Sequence, residues 1–413
     1  MSALAEPAIA FAGLLVAGFV AARVGQSMIP AFVVAGLVLG PSGFALVSDG
    51  PLLRTLAELG VVLLLFFMGL EFSLRRLTAG GRRTAYYGLV NLAFNFPLGV
   101  ALGLLFGWDL LTSVFLGLVV YVTSSGILVK TVIELRRVAN RETETALVLS
   151  ITEDIFTALF LAVVAAVATV GTSDPARLAV ALGASLGFCF LFIVLSRVGQ
   201  PWLHRLSSMR SEELFLLLLL ALVLVVALGA QAVGLSGAIG AFFLGLAFAD
   251  VAQVGRIKAK VVPLRDVFVG LFFFSFGMVL DLSALPEVAW MLLLAVPLTM
   301  ATKFATGLAI GGASGETPRG RVNLATALLP RGEFSIVAAG IAIAYGLNPA
   351  LAAFTGFYVV ITAVVGTILM SKSGFLTEIL VRNGHLSGKL GRAQQIVGYF
   401  RRSPFPLATR FKF

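Results

Sequence analysis

The sequence predicts an all-α polytopic membrane protein with about thirteen transmembrane helices, arranged as two inverted repeats of six helices. Three observations predict it: the composition, the charge of alternate loops and an internal similarity. Hydrophobic residues make up 59% of the 413 residues and charged residues only 12%, against roughly 25% charged residues in a soluble domain. Since a bilayer's hydrocarbon core is ~30 Å thick and needs ~20 apolar residues per helix, the successive long apolar stretches predict many membrane crossings.

The predicted transmembrane domain covers residues 1–371 and is followed by a basic tail, 372–413. The first repeat is predicted over about 7–170, the second over about 212–371, and a linker helix over about 177–198. The individual predicted spans are 7–24, 29–40, 54–74, 84–107, 110–135, 142–170, 177–198, 212–232, 234–250, 262–282, 286–312, 319–346 and 348–371.

The loops between these spans alternate in charge. One set is rich in arginine and lysine, for example at Arg136, Arg137 and Arg141, and the other set carries acids such as Asp109 and Asp281. Cytoplasmic loops are the ones enriched in Lys and Arg, so we expect the N-terminus outside and the C-terminus inside the cell's inner (plasma) membrane. This orientation requires an odd number of spans. The basic loops also account for the net charge of +10, so no nucleic-acid partner is expected.

The chain resembles itself at an offset near 207 residues. Gly69 matches Gly277 at an offset of 208, and Gly40 matches Gly245 at an offset of 205. Spans 1–6 then correspond to spans 8–13, and because seven spans separate partners, the second half enters the membrane in the opposite sense. Inverted repeats of this kind are typical of secondary transporters, whose ion sites lie near the midplane beside broken helices.

Two adjacent carboxylates, Glu153 and Asp154, fall within the sixth predicted span. Asp154 lies 12 residues from the start of that span, which is ~18 Å deep at 1.5 Å per residue. Placing an ionisable side chain at this depth costs at least ~2.5–3.5 kcal/mol of insertion free energy, so a side chain found there is expected to have a function or a partner. Neighbouring anions repel in a low-dielectric site, so one should hold a proton near neutral pH. We predict that Asp154 binds a proton or a cation in competition; for Glu153 a structural ion pair is equally open.

Polar interruptions break the fifth and twelfth predicted spans. Thr123, Ser124 and Ser125 interrupt the fifth, where hydroxyl and carbonyl oxygens would suit a partly dehydrated monovalent cation. The twelfth is broken by Pro330, which removes a helical hydrogen bond, and by Gly332. We therefore include the hydroxyl-bearing residues of the fifth span in the candidate ion site.

Three further charged residues are predicted near mid-membrane: Lys303, Arg331 and Glu333. Arginine keeps its proton and needs an acidic partner, so Arg331 and Glu333 are predicted to form a structural ion pair. Lys303 is expected to act as a gating or salt-bridge residue that pairs with Asp154 when no ion is bound. No cofactor, resident metal or catalytic residue is predicted, since the sequence holds no nucleophile elbow and its Cys and His residues are scattered.

Several motifs resemble the second cation/proton antiporter family, which includes Kef-type potassium/proton exchangers and related sodium/proton antiporters. The matching stretches run in order along the chain: Gly36–Pro41, Glu58–Glu71, Gly240–Gly245, Leu271–Met278 and Pro330–Phe334. The resemblance implies a homodimer with a mobile core domain, two crossed broken helices and elevator-like alternating access. It also implies that Asp154 binds the ion, that Thr123 to Ser125 form the first crossover, and that Lys303 is the core-domain lysine.

The sequence departs from the family pattern at Glu153, where members usually carry Gln, Asn or Asp. Titration of Glu153 together with Asp154 would make exchange electrogenic, whereas a pair with Arg331 would make it electroneutral. Potassium is slightly favoured over sodium as the transported ion. An ion channel or a sodium-coupled organic-anion symporter of similar design is the alternative.

The 42 residues after Ser371 are too few for the nucleotide-binding regulatory domain of many Kef-type proteins. We therefore expect one of three situations: regulation of this kind is absent, a separate soluble subunit supplies it, or this chain is shorter than the natural one. Membrane lipid is the other expected partner, and the transported K⁺ or Na⁺ and H⁺ are the expected substrates.

Overall fold

The computed structural model describes residues 5–48, 50–71, 81–170, 175–207, 211–233 and 235–382, and every regular element in these ranges is helical. The first part of the chain forms α1 (Ala5–Arg23), α2 (Met28–Leu39), α3 (Pro51–Glu71), α4 (Gly81–Leu105), α5 (Leu110–Tyr121), α6 (Ser125–Glu134), α7 (Arg141–Val170), α8 (Pro175–Val198) and α9 (Gln200–Ser207). The second part forms α10 (Glu212–Ala232), α11 (Gly237–Phe248), α12 (Val254–Val279), a 3₁₀ turn (Leu282–Ala284), α13 (Leu285–Ala313), α14 (Pro318–Ala327), α15 (Glu333–Ala344), α16 (Ala350–Ser371) and α17 (Ser373–Arg382).

Each predicted span coincides with one helix or with a pair of helices. Among the described residues, 9 helical segments are long and apolar enough to cross a membrane, which identifies a multi-pass membrane protein. Helices α2 and α11 have only 12 residues each and are shorter than a full crossing. The number of crossings and their orientation therefore stay predictions, and most of the predicted basic tail (383–413) lies outside the described residues.

Four glycines bring two pairs of helices into direct backbone contact. A Cβ on Gly69 of α3 would overlap the carbonyl oxygen of Phe242 in α11, and one on Gly245 would overlap that of Phe66. In the same way Gly36 of α2 lies against α12, and Gly277 of α12 lies against α2. Small residues are what allow such close approach between helices inside a membrane.

These two crossings support the internal repeat. An offset of 208 converts Gly69 into Gly277, and an offset of 209 converts Gly36 into Gly245, so one crossing maps onto the other. By contact, Gly36 and not Gly40 occupies the position equivalent to Gly245. In each crossing a helix of the first half packs on a helix of the second half: α2 packs on α12, and α3 packs on α11.

The two broken spans meet at their breaks. The unwound segment between α5 and α6 lies against the one between α14 and α15, and the amide of Ser124 donates to the carbonyl of Pro330 at 2.9 Å. The hydroxyl of Thr123 donates to the carbonyl of Leu328 at 3.1 Å, and that of Ser335 donates to the carbonyl of Val119 at 2.8 Å. Backbone groups that the breaks release are thus satisfied by the opposite broken helix, as a water-free environment requires.

We expect Gly245→Val to destabilise the fold by about 2–3 kcal/mol, because the added side chain collides with the backbone of α3. The apparent Tm of the purified protein would show this as a marked fall. Gly229→Val is the matched control, since a Cβ on Gly229 in α10 meets no atom within 4 Å. Equal losses of stability in the two variants would contradict the close crossing of α3 and α11.

Candidate functional site

A buried ion pair lies beside the crossing of the broken helices. Nζ of Lys303 in α13 lies 2.7 Å from Oε1 of Glu153 in α7, and both side chains are 0% exposed. Asn91 of α4 bridges the two: its Nδ2 donates to Glu153 Oε1 at 2.5 Å, and its Oδ1 accepts from Lys303 at 3.0 Å. Three helices are therefore joined by one closed group of polar contacts.

The remaining oxygen of Glu153 is also occupied. Its Oε2 accepts a hydrogen bond from the backbone amide of Thr123, at the break between α5 and α6. The ring of Tyr121 lies 5.0 Å from Lys303 Nζ, within the range of a cation–π contact. A buried ion pair persists only when further hydrogen bonds satisfy its atoms, and Glu153 meets this condition with donors from α4, α13 and the break.

Lys303 therefore has a different partner from the one predicted. The sequence analysis paired it with Asp154, and offered Arg331 as a partner for Glu153; the structure pairs Lys303 with Glu153. The physical reason is helix geometry, because adjacent residues point ~100° apart around a helix axis. Glu153 faces α4 and α13, and Asp154 projects from a different face of α7.

Asp154 is buried without a hydrogen-bond partner. It is 1% exposed, and neither carboxylate oxygen accepts a hydrogen bond of ordinary length from the described residues, although the hydroxyl of Ser125, which donates to Glu333, lies near enough to interact with it. The hydroxyls of Ser150 and Thr157, one turn away on either side along the same face of α7, are also buried and unpartnered. Native proteins leave few buried polar atoms unsatisfied. Four oxygen atoms on one face of α7 are thus available to a proton or to a cation.

Glu333 has partners across the helix break. Its carboxylate accepts from the hydroxyls of Ser124 at 2.6 Å and Ser125 at 3.0 Å, and from the amide of Gly126 at 3.1 Å. These groups form the N-terminus of α6, where the helix dipole favours a negative charge. Glu333 therefore ties the start of α15 to the start of α6.

The predicted ion pair between Arg331 and Glu333 is wrong. Arg331 is 0% exposed, and its Nη1 donates to the carbonyls of Leu328 at 2.9 Å and Leu329 at 3.2 Å. These carbonyls lie at the C-terminus of α14, the end of a helix that favours a positive charge. Each of the two side chains thus compensates a helix end exposed by a break, which keeps them in a structural role but with separate partners.

The hydroxyl groups predicted to bind the ion are used in the crossing. Ser124 and Ser125 donate to Glu333, and the Thr123 hydroxyl donates to Leu328. Their side chains hold the two broken helices together in this structure. Whether their remaining lone pairs also contact an ion stays a prediction.

Asn91 and Asn95 are site residues that the sequence analysis did not identify. Asn95 Nδ2 donates to the Asn91 carbonyl at 2.8 Å and also contacts Thr306 of α13 at 3.3 Å. The signal was present in the sequence, since two asparagines four residues apart interrupt the apolar span 84–107. Residues spaced by four share one helix face, which is how both reach α13.

The buried charges in this region do not sum to zero. Two cationic side chains, Lys303 and Arg331, lie among three carboxylates, Glu153, Asp154 and Glu333, and all five are at most 4% exposed. The carboxylates of Glu333 and Glu153 are the strongest charged neighbours of Asp154. A proton or a single monovalent cation at Asp154 would balance the five charges, and an uncompensated buried charge is strongly unfavourable.

Resident metal binding has little support in this region. Across the parts of the chain that the structure describes, no group of three or more His, Cys, Asp and Glu side chains could hold a metal ion. His204 lies in the short helix α9, and His385 lies outside the described residues.

Comparison with known proteins agrees with the fold. The family model described as "Sodium/hydrogen exchanger, transmembrane" matches residues 9–372. The K(+)/H(+) antiporter subunit KhtU of Bacillus subtilis is 32% identical over 372 residues, covering 88% of this chain and 92% of that protein. The ammonium/H(+) antiporter subunit AmhT of Alkalihalophilus pseudofirmus is 30% identical, over 86% of this chain and 89% of its own length.

A solved structure has the same fold. The sodium proton antiporter MjNhaP1 from Methanocaldococcus jannaschii superposes with a TM-score of 0.66 over 91% of this chain and 99% of its own, at 15% identity. These relatives are transporters and not enzymes, in agreement with the sequence analysis. This chain is therefore a member of the transmembrane sodium/hydrogen exchanger family.

Proposed function

We propose that this protein exchanges a monovalent cation for protons, and that Asp154 binds either one in competition. Cation/proton antiport follows from the family and from relatives named as antiporters. The role of Asp154 is carried by one observation: both of its oxygens are buried and unpartnered, while the neighbouring carboxylates are fully bonded. A carboxylate in this state gains most from a proton or a bound cation.

The cation ligands at Asp154 are proposed to include the hydroxyls of Ser150 and Thr157. Both hydroxyls are buried without hydrogen bonds on the face of α7 that carries Asp154. Carboxylate and neutral oxygens together form the usual sites for alkali cations inside transporters. Potassium is favoured slightly over sodium, with support from the name of KhtU, while MjNhaP1 is named as a sodium antiporter.

Exchange is proposed to be electroneutral, one proton for one cation. Both carboxylate oxygens of Glu153 are engaged by Lys303, Asn91 and the Thr123 amide, so Glu153 is not available to an exchanging ion. Asp154 then carries either the proton or the cation, and the buried charge is the same in both loaded forms. The Lys303–Glu153 pair supports the electroneutral alternative, with Lys303 in place of Arg331 as the partner of Glu153.

Alternating access is proposed to use the crossed broken helices as one moving unit. Bonds from Glu333 to α6 and from Thr123 to α14 join the two breaks, and Lys303 joins α7 to α13. Once Asp154 carries a proton or a cation, the five buried charges balance, so the unit can move without exposing a net charge to lipid. A homodimer, whose second protomer would supply a fixed frame, remains part of the proposal.

A separate soluble regulatory subunit is a further proposal. KhtU and AmhT are each named as an antiporter subunit, which supports the presence of another component. The proposed location is the inner (plasma) membrane, with the N-terminus outside and the C-terminus in the cytoplasm.

Asp154→Asn is expected to abolish cation-driven proton movement, because an amide cannot exchange a proton and lacks the charge that holds a cation. The measurement uses proteoliposomes with an internal pH-sensitive dye, an imposed pH gradient, and K⁺, Na⁺ or choline added separately. Asp281→Asn is the matched control, since Asp281 is exposed and bonds only its own turn through Ser283. Transport by Asp154→Asn at the wild-type rate would refute the proposed role of Asp154.

Glu153→Gln is expected to lower stability by about 3–5 kcal/mol, because it leaves the buried Lys303 ammonium uncompensated. The apparent Tm of the purified variant measures this loss. The double variant Glu153→Gln/Lys303→Met removes both charges and should recover most of the lost stability. If the double variant is as unstable as the sum of the two single variants, the two side chains do not act as a pair.

Electroneutral exchange predicts that the rate of proton movement does not depend on membrane potential. Proteoliposomes with one fixed K⁺ gradient and one fixed pH gradient are tested with and without valinomycin, so that only the membrane potential differs, and protein-free liposomes give the proton leak to be subtracted. Equal initial rates are expected in both conditions. A rate that changes when valinomycin is added would show net charge movement and would bring Glu153 back as a second exchanging group.

A further inference from the structure

A basic cavity lies at the far ends of the two broken helices. It encloses about 530 Å³ between the loop that joins α6 to α7 and the N-terminus of α14. Four arginines line it: Arg136, Arg137, Arg141 and Arg319. The charge pattern of the loops predicts that this side of the protein faces the cytoplasm.

The arginines of this basic cavity are only partly compensated. Glu142 is the one acidic residue in the lining, and its Oε1 accepts from Asn140 at 2.9 Å and Asn323 at 2.8 Å. Arg141 lies 3.4 Å from Glu316, outside the lining. Arg136 and Arg319 form no ion pair with any residue that the structure describes.

Two of the guanidinium groups repel each other. Partial burial, and after it the positive charge of Arg319, lowers the pKa of Arg137 from its ordinary value. Arg137 is held in place by a hydrogen bond from its Nη1 to the carbonyl of Met370 at 3.0 Å. The two cations therefore stay within electrostatic reach of each other across the cavity.

The N-terminus of α14 adds to the positive potential. Thr317 caps this 10-residue helix, with its hydroxyl accepting from the amide of Gly320 at 3.1 Å, and both residues line the basic cavity. Pro318 carries no amide hydrogen and the Gly320 amide is bonded to Thr317, so this helix N-terminus favours an anion through the helix dipole. Arginine binds phosphate oxygens in a bidentate manner, and more strongly than it binds a single-point anion.

We propose that the basic cavity binds a phosphate-bearing anion between Arg137 and Arg319 and so fixes the ends of the two broken helices. The anion bridges the α6–α7 loop to α14. Either a soluble phosphate or the phosphodiester of an anionic lipid headgroup supplies this chemistry.

The anion would act on the ion site through two short helices. Helices α6 and α14 have 10 residues each, so each spans ~15 Å between the basic cavity and a helix break. At the breaks the same helices hold Glu333 and receive the Thr123 hydroxyl bond. A bound anion therefore restrains the spacing of the helices that surround the ion site, and gives the protein a regulatory input on this side of the membrane.

The test measures thermal stability of the full chain in phosphatidylcholine nanodiscs, by the intrinsic fluorescence of its 3 tryptophans. One arm adds inorganic phosphate as its choline salt against choline chloride at equal ionic strength. The other arm has no phosphate and mixes phosphatidylglycerol into the nanodisc. We expect a rise of about 2–5 °C in apparent Tm in at least one arm, because a ligand that binds only the folded state stabilises it.

Arg319→Gln should remove this rise, while Arg382→Gln should keep it. Arg382 ends α17, is exposed and lies outside the basic cavity, so it is a matched loss of one positive charge. A rise confined to the phosphate arm assigns the site to a soluble phosphate, and one confined to the phosphatidylglycerol arm assigns it to lipid. No rise in either arm, or a rise that persists in Arg319→Gln, overturns the proposal.

Arg319→Glu provides a second test that does not depend on the stability of the Gln variant. The new carboxylate would lie beside Arg137 and take the place of the anion, so the variant should be at least as stable as wild type without phosphate. It should also lose the response to phosphate and to phosphatidylglycerol. An Arg319→Glu protein that still gains stability from phosphate overturns the proposal. Stability is measured without transport, so the result is separate from that of the proposed antiport.

Discussion

The contact between the two helix breaks is the constraint on which the rest of the structure depends. A membrane interior offers no water to the amides and carbonyls that a break releases. Here each break satisfies the other, through the amide of Ser124 on Pro330 and the hydroxyl of Thr123 on Leu328. Glu333 and Arg331 then compensate the two helix ends that the breaks create. The breaks are stable only as a pair, so the four short helices form one bonded group.

The same contact determines which carboxylate is left to exchange. The Thr123 amide, made available by the first break, binds Glu153, and Lys303 and Asn91 complete its partners. Asp154, the next residue, receives none of these bonds. Two acids that are adjacent in the sequence therefore have different surroundings, one bonded to three partners and the other open to a proton or a cation. The difference arises because adjacent residues on a helix face different neighbours.

The close helix crossings form a second tightly packed part of the structure. Gly69 and Gly245 bring α3 against α11, and Gly36 and Gly277 bring α2 against α12. These contacts are made by backbone atoms, so they leave little room for sliding between those helices. The basic cavity lies away from these crossings, where the end of α6 and the start of α14 carry arginines that are only partly compensated. The proposed anion restrains α6 and α14 reversibly there, because an anion can bind and leave whereas packed backbone cannot.

By itself the sequence determined the helical membrane fold, the positions of both breaks and the burial of Asp154. These follow from local features: apolar length, Pro330 and Gly332 within an apolar span, and a carboxylate far from either end of its helix. Only the tertiary structure decided that Lys303 pairs with Glu153, that Glu333 binds α6 and that Arg331 binds α14. Lys303 and Glu153 are 150 residues apart in the chain. Their pairing depends on the relative rotation of α7 and α13, and packing sets that rotation, whereas a local sequence pattern shows only that each helix carries a charge.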